Sequence, residues 1–155
     1  MHPSVVAVRD ALRAAGATGE VVTFERPART AIEAAALLGC EVGAIANSLV
    51  FLADDDPLLV LTSGAHRVDT SAMAALLGVA AVRRADPDTV RAATGQVIGG
   101  VAPLGHPTPL KTLVDSALAA YDVIWAAAGH AHTMFPTTYD ELLRVTGGQA
   151  AQVAG

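Results

Sequence analysis

Lysine is almost absent from this chain of 155 residues; Lys111 is the only one. With a formal net charge of −5, the chain lacks the basic surface that neutralises the phosphates of a long duplex. With its nine arginines dispersed, that excludes non-specific duplex binding and DNA as a partner, while contact with an RNA end survives. Cysteine is equally scarce. Cys40 alone excludes an intrachain disulfide and a cysteine-cluster metal site. It also sits just past a helix end, where the dipole disfavours a thiolate nucleophile. With one Trp, two Tyr and three Phe, the core must be built from Ala, Val and Leu. No apolar run reaches the roughly 18 residues of a membrane helix. The opening Met1-His2-Pro3-Ser4 has neither the basic segment nor the apolar stretch of a signal peptide. A cytoplasmic protein with no membrane partner is expected. Missing too are a Gly-x-Ser-x-Gly elbow, a phosphate loop and a dinucleotide-binding fingerprint, so a serine triad and nucleotide chemistry have no support.

What is present reads as strands and helices intermixed. Val5, Val8, Leu12 and Ala15 recur at helical spacing from Ser4 onward. Thr30-Ala31-Ile32-Glu33 and Thr138-Tyr139-Asp140-Glu141 are capping boxes, and Asp69 and Asp86-Pro87 are further helix starts. Gly39, Gly78 and Gly147 stop helices. Strands are expected over 20–24, 44–53, 58–62, 80–83, 110–114 and 123–127, with Met134-Phe135 the last. Asp54-Asp55-Asp56-Pro57 then forms a four-residue hairpin turn rather than a cation site, because calcium loops alternate their ligands. Residues 149–155 have the small-residue composition of a frayed tail. A chain of this length is most simply one domain, 1–155, of α/β class in the α+β sense, with a mixed sheet flanked by helices.

Gly99-Gly100-Val101-Ala102-Pro103-Leu104-Gly105-His106-Pro107 is the most unusual stretch. Glycine permits positive φ and close approach of a ligand, and proline stiffens the chain. It is either a tight connection or a backbone cradle for a polar group. Among the histidines, His130 and His132 are two apart and would share a face of a strand; with His106 or an aspartate they would approach a zinc site. A hydrogen-bonding or general-base histidine is the competing role. No Glu-x-x-His or helical His-x-x-x-His accompanies them.

Six segments, in order, resemble the YbaK/prolyl-tRNA synthetase-associated domain family. They are Thr30 to Gly39, Ala44 to Phe51, Leu59 to Gly64, Gly99 to Pro107, Ile124 to His132 and Tyr139 to Gly147. The similarity spans roughly residues 20 to 149. It implies a strongly curved mixed sheet with flanking helices. The implied activity is hydrolysis of mischarged aminoacyl-tRNA in trans, with no metal or cofactor. The acceptor end of the tRNA is then the partner, with a synthetase as a further one. By position, the resemblance implies that Asn47, Gly99 and His132 serve catalysis, with His130 competing for the role of His132. It places Ser48, Thr62, Gly100, Val101, Ala102, Pro103, His106, Gly129 and His130 against the substrate.

The chain departs from the family at one informative position. Deacylating members typically carry lysine where Asn47 stands, and asparagine keeps hydrogen bonding without the charge. Arg26, Arg29 or Arg67 are candidates to replace that charge. The alternative function is a binding module of the same fold that no longer turns substrate over.

Overall fold

Four of the helices start and stop where local chemistry dictates. In the computed structural model, which describes residues 2–154, α1 spans Pro3–Ala14, α2 Ala31–Leu38, α3 Thr70–Leu77, α4 Pro87–Thr94 and α5 Tyr139–Thr146. The side chains of Thr30, Asp69, Asp86 and Thr138 each accept a main-chain N–H three residues on. This satisfies one of the donors that every helix leaves unpaired at its start. Gly39, Gly78, Gly95 and Gly147 end α2 to α5 in the left-handed conformation.

The strands are β1 Val22–Thr23, β2 Ile45–Ala53, β3 Asp56–Ser63, β4 Val82–Arg84, β5 Lys111–Asp115, β6 Ile124–Ala127, β7 Thr133–Thr137 and β8 Gln149–Ala151. They form one mixed sheet in the order β1-β7-β6-β2-β3-β5-β8, with β4 also on β2. The expected mixed α/β architecture is the one observed. Two apolar layers cover it. One packs Val8 and Leu12 of α1 and Leu142 of α5 against Val50, Leu59, Leu61 and Phe135. The other packs Met73 of α3 against Phe51, Leu58, Val60 and Leu113.

Three expectations need correction. The β2–β3 hairpin pairs Ala53 with Asp56, so its turn holds two residues rather than four. Asp54 takes φ 54° and its carboxylate accepts the N–H groups of Ala80 and Ala81, which ties the turn to the approach to β4. His130 and His132 lie in the turn between β6 and β7, not on a strand. The tail is not frayed: β8 pairs in parallel with β5, Val153 is 0% exposed, and its carbonyl accepts the N–H of Asp69 at the start of α3. Composition hid this, because the pairing joins positions more than thirty residues apart.

The gap that positions the site lies on β2. On one edge, β6 pairs only with Ile45 and Ala46, and β4 only with Phe51 to Ala53. Residues 47–50 have no strand beside them on that edge, while β3 pairs with all of them on the other.

Val153→Ala removes two methyl groups from a closed core. We expect it to lower unfolding free energy by about 1–3 kcal/mol in urea titration. A frayed tail would tolerate the change within about 0.5 kcal/mol.

Candidate active site

A cavity of about 300 Å³ opens at the gap in β2. Its floor is β2 itself, from Ile45 to Val50. The start of α2 closes one side with Thr30, Ala31 and Ala34, and the loop after α4 closes another with Ile98, Gly99 and Val101. Arg29 and Arg84 also line it, and no Asp, Glu or His does. Both guanidiniums are exposed, so the mouth is electropositive although the chain is acidic overall. Arg84 is held over the ring of Phe51 at 5.6 Å from its centroid, a cation–π contact that orients the group.

The loop's shape follows from its glycines. The N–H of Gly100 donates to the carbonyl of Val97 at 3.1 Å, closing a turn. Gly99 is the third residue of that turn with φ 94°, a conformation that side chains rarely adopt. Gly100 passes so close to the β6–β7 turn that a Cβ there would sit 2.8 Å from the main chain of His130. The N–H of Ala102 is taken by the buried side chain of Gln96 at 2.7 Å. Among the described residues, the N–H groups of Gly99 and Val101 donate no hydrogen bond. Two unpaired donors, two residues apart, thus belong to residues that line the cavity.

Of the residues implied by the resemblance, Asn47, Ser48, Gly99 and Val101 line this cavity together. Gly100, Ala102, His130 and Gly129 do not line it: Gly100 packs against the main chain of His130, and Gly129 against that of Ser4. Thr62 pairs with Asn47 across the hairpin, but its hydroxyl is buried and donates to Asp115 and the Ser63 carbonyl. Pro103 and His106 border a separate cleft between α1 and α5. His132 also lies outside the lining. Its Nδ1 donates to the carbonyl of Phe24 at 3.1 Å, and its carbonyl accepts the N–H of Phe24 at 2.7 Å. Arg29 is the one of the three proposed replacement cations that reaches the cavity; Arg26 and Arg67 do not. Sequence reasoning missed Arg84, for which the adjacent Arg83-Arg84 pair was the available signal. Phe135 packs in the core, and Phe24 and Trp125 are partly buried against it; none of the three lines the cavity.

A family model described as the aminoacyl-tRNA editing domain matches residues 25–145. The chain belongs to this family. A solved structure of a candidate trans-editing enzyme for prolyl-tRNA synthetase is 40% identical, with a TM-score of 0.91 over 100% of this chain and 99% of the other. The uncharacterized protein YwhH of Bacillus subtilis (strain 168) is 29% identical over 124 residues, 79% of this chain and 78% of its own length. A proline–tRNA ligase of Nitratidesulfovibrio vulgaris (strain DP4) is 31% identical over 105 residues, 68% of this chain but 18% of the ligase. The editing domain therefore matches only a small part of that ligase. Among its described residues, no helix is long and apolar enough to cross a membrane.

Two side chains of this editing domain make testable demands. The hydroxyl of Ser48 is withdrawn from solvent and has no hydrogen-bond partner. An unsatisfied buried hydroxyl costs about 1–3 kcal/mol. Ser48→Ala is therefore expected to leave the melting temperature of the free protein unchanged or higher, as scanning calorimetry would read. A fall of several degrees would show that the hydroxyl is bonded after all.

His106 donates from Nε2 to the carbonyl of Ala102 at 2.8 Å. Burial pushes its pKa below the ordinary 6.5, and the Ala102 contact offsets this only in part. The unfolded chain therefore takes up this proton before the folded one does. Its stabilising share is present in full above pH 6.5 and is lost as pH falls from there through the depressed folded value. Urea midpoints measured from pH 7.5 downward should fall below pH 6.5 in the parent and fall less steeply in His106→Gln. Equal slopes would refute the assignment.

Proposed function

We propose that the chain, as a single editing domain over 1–155, hydrolyses the ester of mischarged aminoacyl-tRNA in trans in the cytoplasm. The observation that carries this reading is the pair of unpaired N–H donors of Gly99 and Val101, residues that line the same cavity as Asn47, where the only charged lining groups among the described residues are arginines. The ester carbonyl sits with its oxygen toward the two N–H groups. Water attacks the carbonyl carbon, the oxygen gains charge, and the donors stabilise the oxyanion. As the intermediate collapses, the bond to the ribose oxygen breaks and that oxygen takes the proton. The lining holds no imidazole or carboxylate to act as base. The vicinal ribose hydroxyl of the substrate fills that role by relaying the proton of the attacking water.

Asn47 donates its amide hydrogens to the ester or to the neighbouring phosphate. Arg29 and Arg84 supply the charge that a lysine at position 47 would bring. His132 acts as a positioning residue through its two bonds to Phe24, which steady the segment that leads to Arg29. The aminoacyl-tRNA acceptor end is the partner, and a synthetase that charges it is a further one. The family assignment and the trans-editing neighbour support this reading.

Asparagine at position 47 favours a second reading, a binding module without turnover. Purified protein at micromolar concentration, tested on a panel of mischarged tRNAs, separates the two. We expect hydrolysis above the buffer rate on at least one, and a loss of about tenfold in kcat/KM for Arg29→Ala or Arg84→Ala, the weight of one charge-assisted contact. No hydrolysis by the parent, with clear hydrolysis by Asn47→Lys, would establish the binding module instead.

A further inference from the structure

Three histidines form one stack beside the cavity, and in the reaction described above none of the three rings touches the substrate. The ring of His130 lies between those of His2 and His132, with centroids 5.2 Å away on either side and interplanar angles of 39° and 28°. Each plane is fixed through Nδ1. In His2 it accepts the N–H of Ser4 at 3.1 Å, and in His130 it accepts the N–H of His132 at 3.2 Å. In His132 it donates to the carbonyl of Phe24. Among the described residues, the Nε2 atoms of all three have no hydrogen-bond partner.

The arrangement does not suit a metal. Ligand nitrogens must converge to about 2.1 Å from one ion, whereas the Nδ1 atoms of all three rings are taken up by main-chain groups. Among the described residues, no group of three His, Cys, Asp or Glu side chains is placed to hold one. The stack does suit a flat aromatic ligand. Burial first, then the neighbouring His2, His132 and Arg29, push the pKa of His130 below 6.5, so its ring is neutral at neutral pH. The neutral ring of His130 offers π faces rather than charge. His2 is exposed at the outer end. The stack lies close to the site, because Gly100 packs against the main chain of His130, and Arg29, which lines the cavity, acts electrostatically on the His130 ring.

We propose that the His2–His130–His132 stack is the platform on which an unpaired nucleobase of an RNA 3′ end rests, beside the ester cavity. This rests on the deacylase reading for the identity of the RNA, but its test does not. Unstacked RNA bases are taken up by aromatic and histidine rings, and the contact tolerates any base because each has a π face. Of the Phe, Tyr and Trp rings, Phe51 and Phe135 are buried and the other four are half-buried.

The full chain is titrated with an RNA trinucleotide, two cytidines followed by 2-aminopurine riboside, whose fluorescence is quenched on stacking. Two substitutions separate the ring from the helix cap that His2 also provides. His2→Asn keeps an acceptor for the N–H of Ser4 and removes the ring. His2→Phe keeps a ring and removes the acceptor. We expect saturable quenching by the parent, a Kd weakened at least about fivefold in His2→Asn, and a Kd within about twofold of the parent in His2→Phe. Absence of quenching by the parent, an unchanged Kd in His2→Asn, or a His2→Phe variant as weak as His2→Asn overturns the platform. A protein that binds the trinucleotide through His2 yet hydrolyses no charged tRNA keeps the platform and loses the deacylase reading. A deacylase whose KM for charged tRNA is the same with His2→Asn keeps its activity and loses the platform.

Discussion

The structure depends on one incomplete edge. β2 is bonded along its whole length to β3, yet its other edge is shared by two strands that do not meet. β6 leaves it after Ala46 and β4 joins it at Phe51. A strand edge with nothing beside it leaves main-chain groups to be satisfied otherwise. Here the gap is kept short by the strands that flank it and is roofed by the start of α2 and the Gly99 loop. The cavity is thus a consequence of how strands of different length share β2. Its floor is rigid because the β2–β3 ladder continues beneath it.

The loop that closes the gap is held from below and behind. Gln96 takes the N–H of Ala102, His106 donates to its carbonyl, and the Gly100 contact sets the loop against the β6–β7 turn. These contacts fix Gly100 and Ala102 and leave the N–H groups of Gly99 and Val101 without a partner. A catalytic donor pair requires this division, since a donor that must move to meet an oxyanion contributes less than one already in place.

Local chemistry was legible in the sequence because its partners lie three or four residues apart. The caps at Thr30, Asp69, Asp86 and Thr138 and the glycine stops behave as their spacing requires. Long-range pairing was not legible. Residues 149–151 read as a frayed tail, since alanine and glutamine carry no strand signal; only the exposed edge of β5 makes a strand of them. The alternation of His130 and His132 suggested a strand face, but Gly129 at φ 102° begins a turn there instead. At the site, the family resemblance located Asn47 and Gly99. The arrival of Arg84 in the same cavity depends on β4 pairing with the far end of β2, which no local pattern encodes.

Charge at the cavity is a matter of distance rather than of net balance. The chain carries 15 acidic and 10 basic side chains, a balance that argues against a nucleic-acid ligand if it is averaged over the surface. Exposed charges are screened beyond about 8 Å at physiological ionic strength, so a ligand at the cavity mouth responds mainly to the groups around it. Those are Arg29 and Arg84, with no carboxylate in the lining. An acidic chain can therefore hold the phosphate-bearing end of an RNA at one small site while its remaining surface repels the duplex behind it. Such a division favours contact through terminal nucleotides over contact along a duplex.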